Sequence, residues 1–198
     1  MKHPSKTDSA LRLARQYPAE LRHMEQVARL AGILFDESRA LHRRNDREKE
    51  LLVCAALLHD VGISVSFAGH HKHSRRLILE SDLPGFSDDE RRTVAALARY
   101  HRKADPSEKH GFFRALLDED RRIVRQLAAI LRLADGLDRA HENAVDGLKA
   151  GLLADGGIVF RISGPGDVAY AAESAARKAG LFESVFGIKV RLEPARST

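Results

Sequence analysis

The side chains best able to do chemistry stand at the end of one apolar run, Leu51-Leu52-Val53-Cys54-Ala55-Ala56-Leu57-Leu58-His59-Asp60-Val61-Gly62. Its first eight residues carry no charge, the pattern of a helix buried on every side. The run stops in His59-Asp60, and Gly62 is placed to end the helix in a left-handed turn. Two metal-type ligands at the carboxyl end of a buried helix are costly unless something compensates them. A divalent cation would do so, and the negative end of the helix dipole would help to hold it. The alternative without a cation is a buried, hydrogen-bonded His–Asp pair.

Other ligand-capable residues follow in order: His23 before the doublet, then His70, His101 and Asp135. Each group falls near the end of a different predicted helix or on the loop leading into one, which is how helical bundles assemble metal sites. His23, His59, Asp60 and Asp135 would hold one ion. His70 and His101 allow a second, with Asp60 bridging. A His/Asp set without thiolates suits a divalent transition metal (Mn, Fe, Ni, Co or Zn) and argues against structural zinc. Standing alone, His23 would read as a boundary histidine satisfied by a backbone carbonyl.

These residues need a scaffold, and the spacing supplies one. Ser9 to Gln16 reads as a short amphipathic helix, separated by Pro18 from a second over Ala19–Ser38 with Leu21, Met24, Val27, Leu30, Leu34 and Phe35 on its apolar face. Asp46 is the expected N-cap of the central helix. After the loop Ile63–Gly69, His70 opens a helix carrying Leu77 and Ile78. Ser87 and Glu90 form a capping box for the next, which runs to Lys103 and is broken by Asp105-Pro106. A short piece at 110–118 precedes a long helix from Glu119 to about His141. The pattern then changes: strands at 147–153 and 158–162 joined by Asp155-Gly156-Gly157, a helix over 167–180 and a strand over 188–192. The expected fold is mainly α, a helical bundle over residues 1–144 followed by a small β-β-α-β appendage over 145–198. Three strands are about the minimum for a stable sheet, so the appendage should pack on the helices.

Composition narrows the partners. Hydrophobic residues make up 43% and charged residues 31%, enough for a core and a solvated surface. No apolar run approaches the roughly 20 residues that span a bilayer. The segment Met1–Thr7 lacks a signal core, so the expected location is cytoplasmic. The net charge of +5 suggests an anionic partner, but the arginines are dispersed, aromatics are 6% and tryptophan is absent. The charge therefore does not choose among anionic partners, and the signal for nucleic acid is weak. Cys54 reads as a small buried hydrophobe. The sheet has an edge through which two subunits could pair as a homodimer.

A helical His, a His-Asp doublet and a later Asp, with two further histidines between, resemble the HD superfamily of metal-dependent phosphohydrolases. Leu57–Gly62, His70–Ser74, Leu83–Phe86, Ala98–Ala104, Leu133–Arg139 and Ala175–Glu183 are similar, in order, to the C-terminal HD region of exopolyphosphatase/guanosine pentaphosphate phosphatases. The resemblance spans about residues 19–193 and implies an HD-type helical bundle that hydrolyses bonds at phosphorus. In those enzymes the active site lies in N-terminal actin-like domains without counterpart in this sequence, so exopolyphosphatase activity is not implied. Many HD phosphodiesterases also carry a lysine after the Asp-x-Gly, where Ile63 stands here. The ligand set is His23, His59, Asp60, His70, His101 and Asp135. Asp60, His70 and His101 are the candidate catalytic residues; His71, Lys72, Arg102, Lys103 and Arg139 are the candidate phosphate contacts. His73 reads as a supporting partner of the site, and His3, His42, His110 and His141 as surface residues. Two functions fit: a hydrolase of a nucleotide or other small phosphate ester or anhydride, or a non-catalytic module that binds polyphosphate or a guanosine polyphosphate and regulates a partner.

Overall fold

Asp46–Leu58 (α4) must be covered on all sides, and the rest of the helices are arranged to do so. The computed structural model describes residues 4–17 and 21–195; Pro18, read above as a helix break, and His3, read as a surface residue, lie outside them. Packed around α4 are Lys6–Ala14 (α1), Leu21–Glu37 (α2), Asp88–Tyr100 (α6) and Asp118–Leu137 (α8). Leu52, Cys54, Ala55, Ala56 and Leu58 are fully buried. The short Arg39–His42 (α3) and Gly111–Arg114 (α7) connect these helices, and His70–Glu80 (α5) packs beside α6.

The helix starts carry their signals with one shift. Ser87 and Glu90 cap α6 reciprocally, as expected. The cap of α4 is Asn45, not Asp46: the Asn45 side chain accepts from the first-turn backbone while Glu48 reaches back to the Asn45 N–H. Asp46 instead occupies the first turn, where its charge complements the helix dipole.

Gly62 also differs from expectation. It is not left-handed but sits in a 3₁₀ turn over Val61–Ser64. A Cβ there would lie 2.2 Å from the His70 carbonyl oxygen and 2.3 Å from the Ser74 nitrogen. Glycine is needed for close approach, not for backbone handedness. In its place the Gly62 N–H donates to Ser74 Oγ (3.0 Å), whose hydroxyl donates to the His59 carbonyl (2.6 Å). The start of α5 is thereby stitched to the His-Asp turn.

Two helices end earlier than the sequence suggests. The chain leaves α6 after Tyr100 and turns with Lys103 at φ 65°, and α8 ends at Leu137 in a turn with His141 at φ 59° and Asn143 at φ 53°. Buried Arg132 of α8 fixes the first of these turns. It donates to the carbonyls of Tyr100 (2.8 Å), Lys103 (3.3 Å) and Ala104 (2.7 Å) and pairs with Asp105 (2.7 Å).

Beyond the helices, Gly147–Leu152 (β1) pairs antiparallel with Ile158–Ser163 (β2), and Val190–Pro194 (β3) lies parallel to β2, in the order β1-β2-β3. The helix expected over 167–180 is two, Val168–Ala176 (α9) and Gly180–Phe186 (α10), so the unit is β-β-α-α-β. The chain turns at 177–179, and the bend lets both pieces pack against α8. Gly136 lets α9 approach closely: a Cβ would lie 2.6 Å from Ala175 Cα. One hydrophobic cluster runs from Ala10 through α4 and α8 to Phe160 and Phe182. The fold is thus mainly α with a small C-terminal sheet.

His42 is not a surface residue. It is buried, its Nε2–H donates to the Phe35 carbonyl (2.8 Å), and Nδ1 accepts from the Arg44 N–H (2.9 Å). His110 is half-buried and hydrogen-bonded to the Tyr100 hydroxyl (2.8 Å).

Two predictions follow from this packing. Gly62→Ala should lower the unfolding free energy by about 1–3 kcal/mol or more, because backbone must move; an unchanged urea midpoint would contradict the close approach. Burial holds the His42 pKa below its usual 6.5, so the unfolded chain takes up a proton that the folded chain resists. The stabilisation is complete above pH 6.5 and shrinks as pH falls below it. The loss of stability between pH 7 and 5 should be smaller in His42→Gln than in the parent protein, and equal slopes would contradict the assignment.

Candidate metal centre

Five helices bring six side chains to one interior point. α2 supplies His23, the end of α4 His59 and Asp60, the start of α5 His70, the end of α6 His101 and the last turn of α8 Asp135. All six are buried. The same backbone logic orients the four histidines. Nδ1–H donates to the carbonyl of Ala56 from His59 (2.7 Å), of Phe67 from His70 (3.0 Å) and of Ala98 from His101 (2.7 Å), while His23 Nδ1 lies 2.8 Å from Asp138 Oδ2. Carbonyls and carboxylates only accept, so each ring is fixed with its Nε2 turned inward, the arrangement metal-binding histidines use.

The inward atoms cluster tightly. Asp60 Oδ1 is 3.1 Å from His70 Nε2 and 3.5 Å from His101 Nε2, and Oδ2 is 3.5 Å from His59 Nε2 and 4.0 Å from His23 Nε2. Asp135 Oδ1 is 3.6 Å from His23 Nε2. Two overlapping groups could therefore hold a metal ion, His23–His59–Asp60 and Asp60–His70–His101, with Asp60 common to both. Among the described residues, His23 Nε2, His59 Nε2 and Asp60 Oδ1 are buried without a hydrogen-bond partner. His70 Nε2 and His101 Nε2 face each other at 3.3 Å although both rings already spend their Nδ1–H on carbonyls. A knot of buried acceptors with too few donors fits a cation, since orphaned buried polar groups each cost free energy.

The electrostatics agree. Burial opposes ionisation of Asp60, yet the surrounding histidines hold its pKa well below the usual carboxylate range. Asp135 is likewise depressed against its burial, by His23 and Lys178. Burial also opposes charge on His23, but the neighbouring carboxylates of Asp135 and Asp138 raise it to about 9. Burial, with His59 second, lowers His101 to about 3, leaving it neutral. The carboxylates therefore stay charged and demand positive charge at the centre.

The centre opens into a cleft of about 300 Å³ lined by Asp60, His70, His101 and Asp135 and by Arg102, Lys103, Arg139 and Lys178, with Ile63, Phe67 and His141 completing the wall. Of the phosphate contacts expected from the sequence, Arg102, Lys103 and Arg139 line it. Lys72 is exposed outside that lining, and His71 is buried edge-on to His70 and His101. His73 is half-buried, its Cβ near Gly62. His141, expected as a plain surface residue, stacks on the His23 ring at 3.7 Å and 3°. Three residues of the site were not assigned to it from the sequence. Asp138 follows Asp135 by one helical turn, a spacing that could have been read as a partner for a ligand. His141 and Lys178 carry no such signal, because tertiary packing alone brings them in.

The family match is consistent with this arrangement. Ppx/GppA phosphatase, domain III, matches residues 6–160, most of the chain. The chain belongs to the Ppx/GppA domain III family. It is also similar to a guanosine-5′-triphosphate,3′-diphosphate pyrophosphatase of Pseudoalteromonas translucida (strain TAC 125), 30% identical over 84 residues, which cover 42% of this chain and 16% of that protein. The chain thus matches only about a sixth of that relative's length. In this Ppx/GppA domain III chain, no helix among the described residues is long and apolar enough to cross a membrane.

Asp138 holds His23 from behind while its Oδ1 accepts the Asn143 N–H (2.9 Å). Asp138→Asn should weaken binding of Mn²⁺, followed by calorimetry, by about 10–100-fold, the usual effect of removing a ligand's supporting partner. Unchanged affinity would mean that His23 does not hold the ion.

Proposed function

We propose that this chain is a metal-dependent phosphohydrolase of the HD type, acting on a small phosphate ester or anhydride, with a nucleotide as the favoured class. The observation that carries the reading is the adjacency of two poles in one cleft. One is the buried cluster of acceptors around Asp60; the other is the cationic wall of Arg102, Lys103 and Arg139. His23, His59, Asp60 and Asp135 would hold one divalent transition metal (Mn, Fe, Ni, Co or Zn), and His70 and His101 with bridging Asp60 a second. Such an ion lowers the pKa of bound water toward neutrality and offsets charge on phosphoryl oxygens.

The chain's own residues do the positioning that phosphoryl transfer requires. Arg102, Lys103 and Arg139 bind the phosphoryl oxygens and screen their charge. Arg102 also donates to His70 Nε2 at 3.2 Å, so its guanidinium bridges the wall and the ligand cluster. Arg132 holds the Tyr100–Ala104 turn that carries His101, Arg102 and Lys103. Keeping Lys103 left-handed costs free energy, and such outliers persist where packing enforces them. Phe67, 68% exposed at the cleft, offers a ring face to a nucleobase. The activity for which the Pseudoalteromonas relative is named makes guanosine phosphoanhydrides the first compounds to test. Lys72 and His71 are left out of the substrate contacts. Residues 1–144 form the HD unit in this reading, and 145–198 a C-terminal unit packed on it.

Purified protein loaded with Mn²⁺ and screened against nucleotides and phosphate esters should turn over at least one of them. Asp60→Ala should reduce that rate by at least about 10³-fold with unchanged circular dichroism, because both ligand groups lose their shared carboxylate. Metal bound without turnover of any compound would replace this reading by the non-catalytic binding module.

A further inference from the structure

Lys178 stands on the turn between α9 and α10, outside the helical bundle and beyond the residues that match the family. Its Nζ lies 2.5 Å from Asp135 Oδ2, while Asp135 Oδ1 faces His23. The side chain remains 23% exposed and lines the metal cleft beside Arg102, Lys103 and Arg139. An ammonium has three donors, and among the described residues Asp135 is the side-chain partner of only one of them. Two donors of a fixed cation are therefore left at the cleft.

How the lysine arrives there is equally specific. Gly136, the residue after Asp135, touches the backbone of Ala175, three residues before Lys178. The missing Cβ seats α9 directly on the last turn of α8, so the turn after α9 reaches back over Asp135. Ala175 is fully buried in this contact.

We infer that Lys178 is a substrate-binding residue: the C-terminal unit completes the active site by placing a tethered ammonium against a phosphoryl oxygen in the cleft. This rests on the phosphate-ligand reading above, and it assigns the unit a part in the site rather than a merely packing role. Asp135 positions the lysine more than the lysine serves Asp135. Two cations on one carboxylate repel each other, so neutralising Lys178 should not weaken an ion held by Asp135.

The test uses full-length protein, with inorganic phosphate and Mn²⁺ as probes, each titrated calorimetrically. Lys178→Gln should weaken phosphate binding to the Mn²⁺-loaded protein about tenfold or more, the worth of a charge-assisted hydrogen bond, and leave Mn²⁺ affinity equal or tighter. Lys178→Arg should restore most of the phosphate affinity. Gly136→Ala, which displaces the lysine without removing it, should also weaken phosphate binding. The inference is overturned if phosphate binding is unchanged in Lys178→Gln, if phosphate and Mn²⁺ affinity fall together, or if the parent protein binds no phosphate. Lysine-dependent phosphate binding without hydrolysis of any ester would sink the hydrolase reading and leave Lys178 as a phosphate-binding residue of a ligand site.

Discussion

The constraint on which the structure depends is the crowding of lone pairs around Asp60. A buried carboxylate surrounded by four imidazole Nε2 atoms is favourable only when positive charge sits among them. Much of the architecture serves to keep those atoms facing one another. Backbone carbonyls of Ala56, Phe67 and Ala98 hold the outer nitrogens of His59, His70 and His101, and Asp138 holds that of His23. The apolar shell of α2, α4, α6 and α8 excludes water from behind. A proton on His23 supplies some of the required charge, and a divalent ion held by His23 would displace that proton and supply more.

From that centre outward, small residues and backbone turns set the distances. Gly62 permits α5 to close on the His-Asp turn, and Gly136 permits α9 to close on the end of α8. Arg132 performs the corresponding task for the turn after α6, replacing absent helical hydrogen bonds with side-chain donors to three carbonyls. Of the four left-handed non-glycine residues, Lys103, His141 and Asn143 lie in turns that border the cleft, and Arg43 ends α3. Three of these four positions thus stand where the chain reverses beside the site.

Much of this was legible in the sequence because it depends on local pattern. The uncharged run 51–58 announced a buried helix, Ser87 with Glu90 announced the capping box of α6, and the change of period near residue 147 announced the sheet. The six ligand-type residues stood out by chemical type and order, and they do lie together. What stayed hidden depends on tertiary contact. The role of Gly62 is set by the approach of His70 and Ser74, which no turn preference encodes. His42 looks polar and exposed until Phe35 and Arg44 are seen to satisfy both its nitrogens. The break between α9 and α10 and the reach of Lys178 follow from packing on α8. Lys72 is two residues from His70 along the chain, yet it lies exposed outside the lining of the cleft.

The most direct measurement is diffraction at the absorption edge of the bound metal, from crystals of protein never exposed to chelator. The account predicts an anomalous peak bonded to Asp60 and to Nε2 atoms of the surrounding histidines. A peak-free centre at saturating metal, with the same side chains bridged only by water, would contradict it.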